Sequence, residues 1–167
     1  YDRSMLTSLL FAAAISSIDP SLLPPADSTL VASTEGGGVQ VYGCAANSDG
    51  ASSWTLIEPV ASLFDPAGKP FGTHGKGPTW TALDGSTIAA DGKTPLARVA
   101  RPAAVPELLL KVVSGSGNGV LSGVRFVQRI ETVGGTAPAE ICRAGKRCGT
   151  QNDPAASRST TGRTPIK

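Results

Sequence analysis

Aromatic side chains are scarce in this 167-residue chain, at 5%, and histidine occurs once, as His74. A core must therefore rest mainly on aliphatic residues, and a transition-metal site with several imidazoles is excluded. Charge is low as well: Asp, Glu, Lys and Arg make up 17% of the chain, against roughly 25% in an average soluble protein. A net charge of +2 is too small to hold a polyanion, so nucleic acid is not an expected partner. No apolar run reaches the ~20 residues that a membrane-crossing helix needs. No Gly-x-Gly-x-x-Gly follows a strand to cradle a dinucleotide, and no cofactor is expected. Cysteine occurs three times, as Cys44, Cys142 and Cys148, in a spacing that matches no zinc ribbon or finger. One disulfide plus a third thiol is the expected arrangement. A Cys44–Cys142 bridge would close a loop of nearly a hundred residues, worth about 4–5 kcal/mol on the chain-entropy model. A Cys142–Cys148 bridge across Arg-Ala-Gly-Lys-Arg is the sterically feasible rival, and Cys44–Cys142 is the pair expected.

What the chain has in quantity is turn formers, with 20 glycines and 13 prolines. Many turn formers and little charge fit an extracellular all-β domain better than a cytosolic helical one. The segment Met5 to Ser17 is a short apolar run ending in small residues, and it resembles a secretory signal. The competing reading is an amphipathic helix, since Leu6, Leu9, Leu10 and Ala13 follow helical spacing. The expected organisation is a signal-like or helical segment at 1–20, a β domain at 21–142 and an irregular tail at 143–167, where apolar residues are rare.

Ser21 to Asp27 is a proline-stiffened, extended lead-in. Strand patterns then recur at short intervals. They cover Ser28 to Ser33, Gly38 to Ala45, Trp54 to Ile57, Val60 to Phe64 and Ser86 to Ala89. Asn47 to Gly50, Asp65-Pro66-Ala67-Gly68, Asp84-Gly85 and Asp91-Gly92 supply turns between them. In Gly38 to Ala45, Val39 and Val41 share one face, and Gln40, Tyr42 and Cys44 share the other. Glu107 to Val113 is a continuous apolar run, read as a buried strand or two helical turns. Val120 to Thr132 alternates with period two and reads as one long strand. Arg125 and Arg129 would project from its second face, and with Glu131 close by that face is expected to be solvated. The pattern predicts a single antiparallel β-sandwich or compact β-barrel.

An ordered set of motifs runs through this framework. It comprises Gly38-Val39-Gln40-Val41-Tyr42-Gly43-Cys44, Trp54, Glu58-Pro59-Val60-Ala61-Ser62-Leu63-Phe64-Asp65 and Gly68. It continues through Gly72-Thr73-His74, Gly77-Pro78-Thr79-Trp80, Asp84-Gly85-Ser86, Leu108-Leu109-Leu110 and Val127-Gln128-Arg129. Thr132-Val133-Gly134-Gly135-Thr136-Ala137-Pro138 and Cys142 close it. Over residues 24–142 this set resembles a secreted bacterial and fungal family known only as a domain of unknown function, number 3455 in that series. Some fungal members carry a malate dehydrogenase label, which the missing dinucleotide motif does not support. The chain departs from the family pattern in two places. Gly75 and Thr81 stand where an aromatic and an acid are usual, and no aromatic strand follows the last cysteine.

The segment Gly72 to Trp80 gathers the chemistry. Its three glycines and Pro78 shape a tight path that brings the sole imidazole close to an ammonium and an indole. Loops of this kind usually present side chains to a ligand. The expected ligand site is Thr73, His74, Lys76 and Trp80, with His74 and Trp80 bordering one concave pocket. The expected partner is a small molecule or glycan. The alternative is a small secreted hydrolase or isomerase with His74 as general base and Asp84 orienting its ring. A Ser86–His74–Asp84 triad can be written down, but Ser86 lies on no nucleophile elbow. The preferred expectation is therefore a secreted or extracytoplasmic binding domain without catalysis.

Overall fold

The computed structural model describes the backbone of residues 18–143, 147–151, 159–160 and 164–166, with side chains over 18–143. Up to residue 17, the signal-like or helical segment lies outside the described residues.

The fold is nearly all β, with every pairing between its strands antiparallel, in a curled sheet that forms a half-barrel. Its strands are β1 (Thr29–Ala32), β2 (Glu35–Ala46), β3 (Ser52–Phe64), β4 (Pro70–Gly75), β5 (Thr79–Ala82), β6 (Thr87–Ala90), β7 (Ala97–Arg101), β8 (Ala104–Ser116), β9 (Phe126–Arg129), β10 (Arg147–Gln151), β11 (Ser159–Thr160) and β12 (Thr164–Ile166). The main sheet runs β10-β2-β3-β4-β5-β6-β8. One edge of the long strand β8 pairs with β7 along its first half and with β6 along its second, while β9 takes the opposite edge. β11 adds to β2, and β1 pairs with β12 in a separate ribbon. The last three strands thus fall within 143–167, where composition gives no strand pattern.

The predicted turns form where their residues place them. The Gly50, Gly68 and Gly85 amides each bond the carbonyl three residues back, and all three glycines hold positive φ. Asp65 and Asp91 brace their own turns by accepting backbone N–H groups through Oδ1. Asp91-Gly92 does not make a hairpin, however. It leads from β6 to β7, which lie end to end along β8 instead of pairing.

The core lies on the concave face of the curl. Leu63, Trp80, Ile88, Leu108, Leu110, Leu121, Val124 and Val127 pack there. The other face of β7–β8–β9 is covered by the chain before β1. Asp19 caps a 3-10 turn at Pro20–Leu22, and Leu22 packs on Leu109 and Ile130. Gln128 Nε2 donates to the Leu22 carbonyl at 2.6 Å and fixes this cover. The lead-in is therefore a docked turn followed by extended chain, because an apolar side chain between prolines can be buried on a sheet whose second face is also apolar.

A further difference follows from that double cover. The strand expected over Val120 to Thr132 is limited to Phe126–Arg129. Residues before Arg125 turn back to carry Leu121 and Val124 into the core. Both faces of β9 are covered, so Arg129 is part-buried and not on a solvated face.

After β9 the chain recrosses the curl to β2 and β3. Positive φ at Gly134 and Gly135 lets it bend there, conformations a side chain would strain. Three anchors hold it: Tyr42 Oη donates to the Gly135 carbonyl at 2.7 Å, Trp54 Nε1 donates to the Glu140 carbonyl at 3.0 Å, and Cys44 is disulfide-bonded to Cys142.

Candidate functional site

The segment around His74 is a β-hairpin. β4 and β5 join through Lys76-Gly77-Pro78, and Gly77 holds φ +121° where a side chain would be strained. His74 lies directly opposite Trp80 in the register. Side chains so placed share a face. Their rings stack with centroids 4.5 Å apart and planes 15° from parallel. His74 Nδ1 lies 2.8 Å from the Thr79 carbonyl. A carbonyl only accepts, so Nδ1 carries the hydrogen, and in the neutral ring Nε2 keeps its lone pair.

Burial pushes the His74 imidazole down to about 4, and the positive field of Arg129 pushes the same way against the Thr79 carbonyl. The ring is neutral at physiological pH. Arg129 exerts that field from β9. Leu108 pairs with Arg129 and Leu110 with Val127. Since Leu108, Leu110 and Val127 belong to the core, Arg129 lies on the same concave face. Its Nε and Nη2 both donate to the Pro106 carbonyl, at 3.0 and 2.7 Å. Burial and the charge of Arg98 lower Arg129 to about 10, while Tyr42 opposes them. Tyr42, raised chiefly by burial, projects from β2 on the face it shares with Gln40 and Cys44, all three buried.

The sequence-predicted residues therefore divide. His74 and Trp80 come together. Thr73 is exposed on the convex face, in register with Ser62 and Thr81. Lys76 is exposed at the hairpin tip. Trp80 is buried, with 8% exposure, so His74 covers one ring face and the core takes most of the rest. A cavity of about 10 Å³ lies beside Trp80, lined by Leu63, Phe71, Ile88, Leu121 and Val127 among others and not by His74. A space of that size is at the lower limit for a single water and is apolar, so it is a packing gap.

Asp84 is engaged elsewhere. Its Oδ1 accepts from the Ser86 amide and hydroxyl at 2.9 and 2.6 Å, and its Oδ2 from the Val120 amide at 2.7 Å. Ser86 Oγ in turn accepts from the Leu121 amide at 3.1 Å. These bonds hold the carboxyl below the usual carboxylate range and clamp the chain before β9 onto the β5–β6 turn. The Thr79 carbonyl, not Asp84, orients His74. Among the described residues no group of His, Cys, Asp and Glu could hold a metal ion.

Sequence reasoning missed Arg129 and Tyr42 as members of this cluster. Alternation does pair Arg129 with Val127 on one face, but the sequence does not reveal that this face turns into the curl. No curated protein and no solved structure matches the chain. A protein family does match over residues 25–153, described as a protein of unknown function, DUF3455, and the chain belongs to that family.

Proposed function

We propose that this chain is an extracytoplasmic, non-catalytic binding domain for a small molecule or glycan, with its site on the concave face beside His74. One observation carries the reading: a part-buried imidazole, locked in one tautomer on Trp80, keeps Nε2 as an acceptor within the positive field of Arg129. A side chain fixed in this way recognises a ligand without losing conformational entropy on binding. The same environment disfavours acid–base work. A base serves best with a pKa near the operating pH, and about 4 is far below it. The Cys44–Cys142 bridge fits an oxidising compartment. No helix of the described residues is long and apolar enough to cross a membrane.

Ligand-detected NMR with a library of metabolites and oligosaccharides tests the reading. Hits that bind the wild type and are lost in His74→Ala, with the near-UV circular dichroism retained, support it. Hits that persist unchanged in His74→Ala overturn the placement of the site. Turnover of a hit that disappears in His74→Ala would make the domain a hydrolase or isomerase instead.

A further inference from the structure

We infer that the His74 site takes an anion: a small molecule bearing a carboxylate, gripped by the outer fork of Arg129 with Arg98 beside it. The inference rests on the reading of the His74 face as a ligand site and names the ligand's chemical class.

The geometry begins with one transverse row. Arg98 on β7, Leu108 on β8 and Arg129 on β9 are directly in register, so both guanidinium groups leave the sheet on the concave side, flanking a leucine. Arg129 is part-buried, yet the described groups that shape its electrostatics are a second cation, Arg98, and the neutral phenol of Tyr42. The carboxylates nearby in sequence are turned to other work. Glu107 is on the opposite face of β8 from Leu108, where it accepts the Glu131 amide and faces Arg101 at 3.6 Å. A part-buried cation without a counter-charge is costly, and an anion from solution relieves that cost.

The hydrogen bonds define the shape of that anion. The Pro106 carbonyl occupies one edge of the guanidinium, through Nε and Nη2. The edge formed by Nη1 and Nη2 makes no hydrogen bond to a described side chain or carbonyl, and its two parallel N–H groups match the two oxygens of a carboxylate. His74 Nε2, an acceptor, suits a hydroxyl on the same ligand. Among the described residues, the charged group that acts on the imidazole is Arg129 from β9, which is itself influenced by Arg98 from β7 and Tyr42 from β2. Every charge among them is positive.

The sole histidine supplies the reporter, because its Cε1–H proton gives one unambiguous NMR resonance. Acetate is titrated against acetamide, glucuronate against glucose, and inorganic phosphate alone, all at constant ionic strength. Acetate and glucuronate should move the His74 resonance saturably, while acetamide and glucose leave it in place. Arg129→Gln should weaken the response about tenfold or more, the loss expected for a charge-assisted pair. Arg98→Gln, at an exposed position, should weaken it severalfold and serves if Arg129→Gln does not fold. The proposal is overturned if the carboxylates give no saturable shift, if their shift survives in both variants, or if phosphate binds and acetate does not. Glucose binding that requires His74, with no preference for glucuronate, would remove the anion and leave the ligand site standing.

Discussion

His74 is the residue at which sequence and structure meet most directly, and its titration follows from its surroundings. The folded imidazole protonates near 4, below its ordinary 6.5, so between these values the unfolded chain binds a proton that the folded chain refuses. Stability therefore rises with pH through that window and is lost as the pH falls from about 6.5 towards 4. From pH 7 to pH 5 the loss should be about 1–2 kcal/mol. Asp84 and Asp91, held low by their hydrogen bonds, lose their contributions only at more acid pH, so the comparison isolates the histidine. Urea denaturation of the wild type and His74→Gln at both pH values checks it, and equal losses in the two proteins would contradict it. Arg129→Gln removes one of the forces that depress the ring, so the NMR midpoint of His74 should move upward. A midpoint that stays in place would show that burial alone sets it. The proximity of His74 and Trp80 was legible because two scarce side chains share a short, turn-constrained segment. Arg129 was not legible, since spacing assigns a residue to a face but does not say what that face meets 55 residues away.

At the scale of elements, hairpins and turns could be read, and long-range cover could not. Asp-Pro-Ala-Gly and Asp-Gly mark turns because a carboxylate braces the backbone and glycine accepts positive φ. The path from Gly117 to Gly123 has glycines at positive φ but no carboxylate of its own to brace it. The clamp through Asp84 and Ser86 holds it, joining segments more than thirty residues apart in the chain. Ser86 is fully buried, with 0% exposure, and its hydroxyl satisfies the Leu121 amide. Ser86→Ala leaves that amide unpaired and should cost about 1–3 kcal/mol. Hydrogen exchange gives the sharper check. The Val120 and Leu121 amides should lose protection while those of β3 and β4 keep it, and protection unchanged at Leu121 would remove the clamp. The lead-in failed to reveal itself for a similar reason. Composition reads Leu22 between prolines as extended chain, and only the apolar outer face of β8 makes a buried turn more stable.

For the whole molecule, the question is what keeps a curled sheet closed where its strands stop. Between β9 and β10 the chain makes that closure with a single β-bridge, Gly134 to Ala104, and otherwise through Tyr42, Trp54 and the Cys44–Cys142 bridge. The two hydrogen bonds contribute roughly 1 kcal/mol each. The bridge spans 98 residues, and by restricting the unfolded chain it should contribute about 4–5 kcal/mol. That is a large share of the roughly 5–15 kcal/mol that typically separates folded from unfolded domains. Replacing both cysteines, as Cys44→Ser with Cys142→Ser, should therefore lower the urea midpoint steeply. Because the effect acts mainly on the unfolded state, the folded variant should keep the His74 Cε1–H resonance at its wild-type position. An unfolding free energy within about 1 kcal/mol of the wild type would deny the bridge its role. A steep loss with a displaced His74 resonance would show instead that the bridge also shapes the concave site, by holding Gly135 over Tyr42 on the strand that carries Cys44.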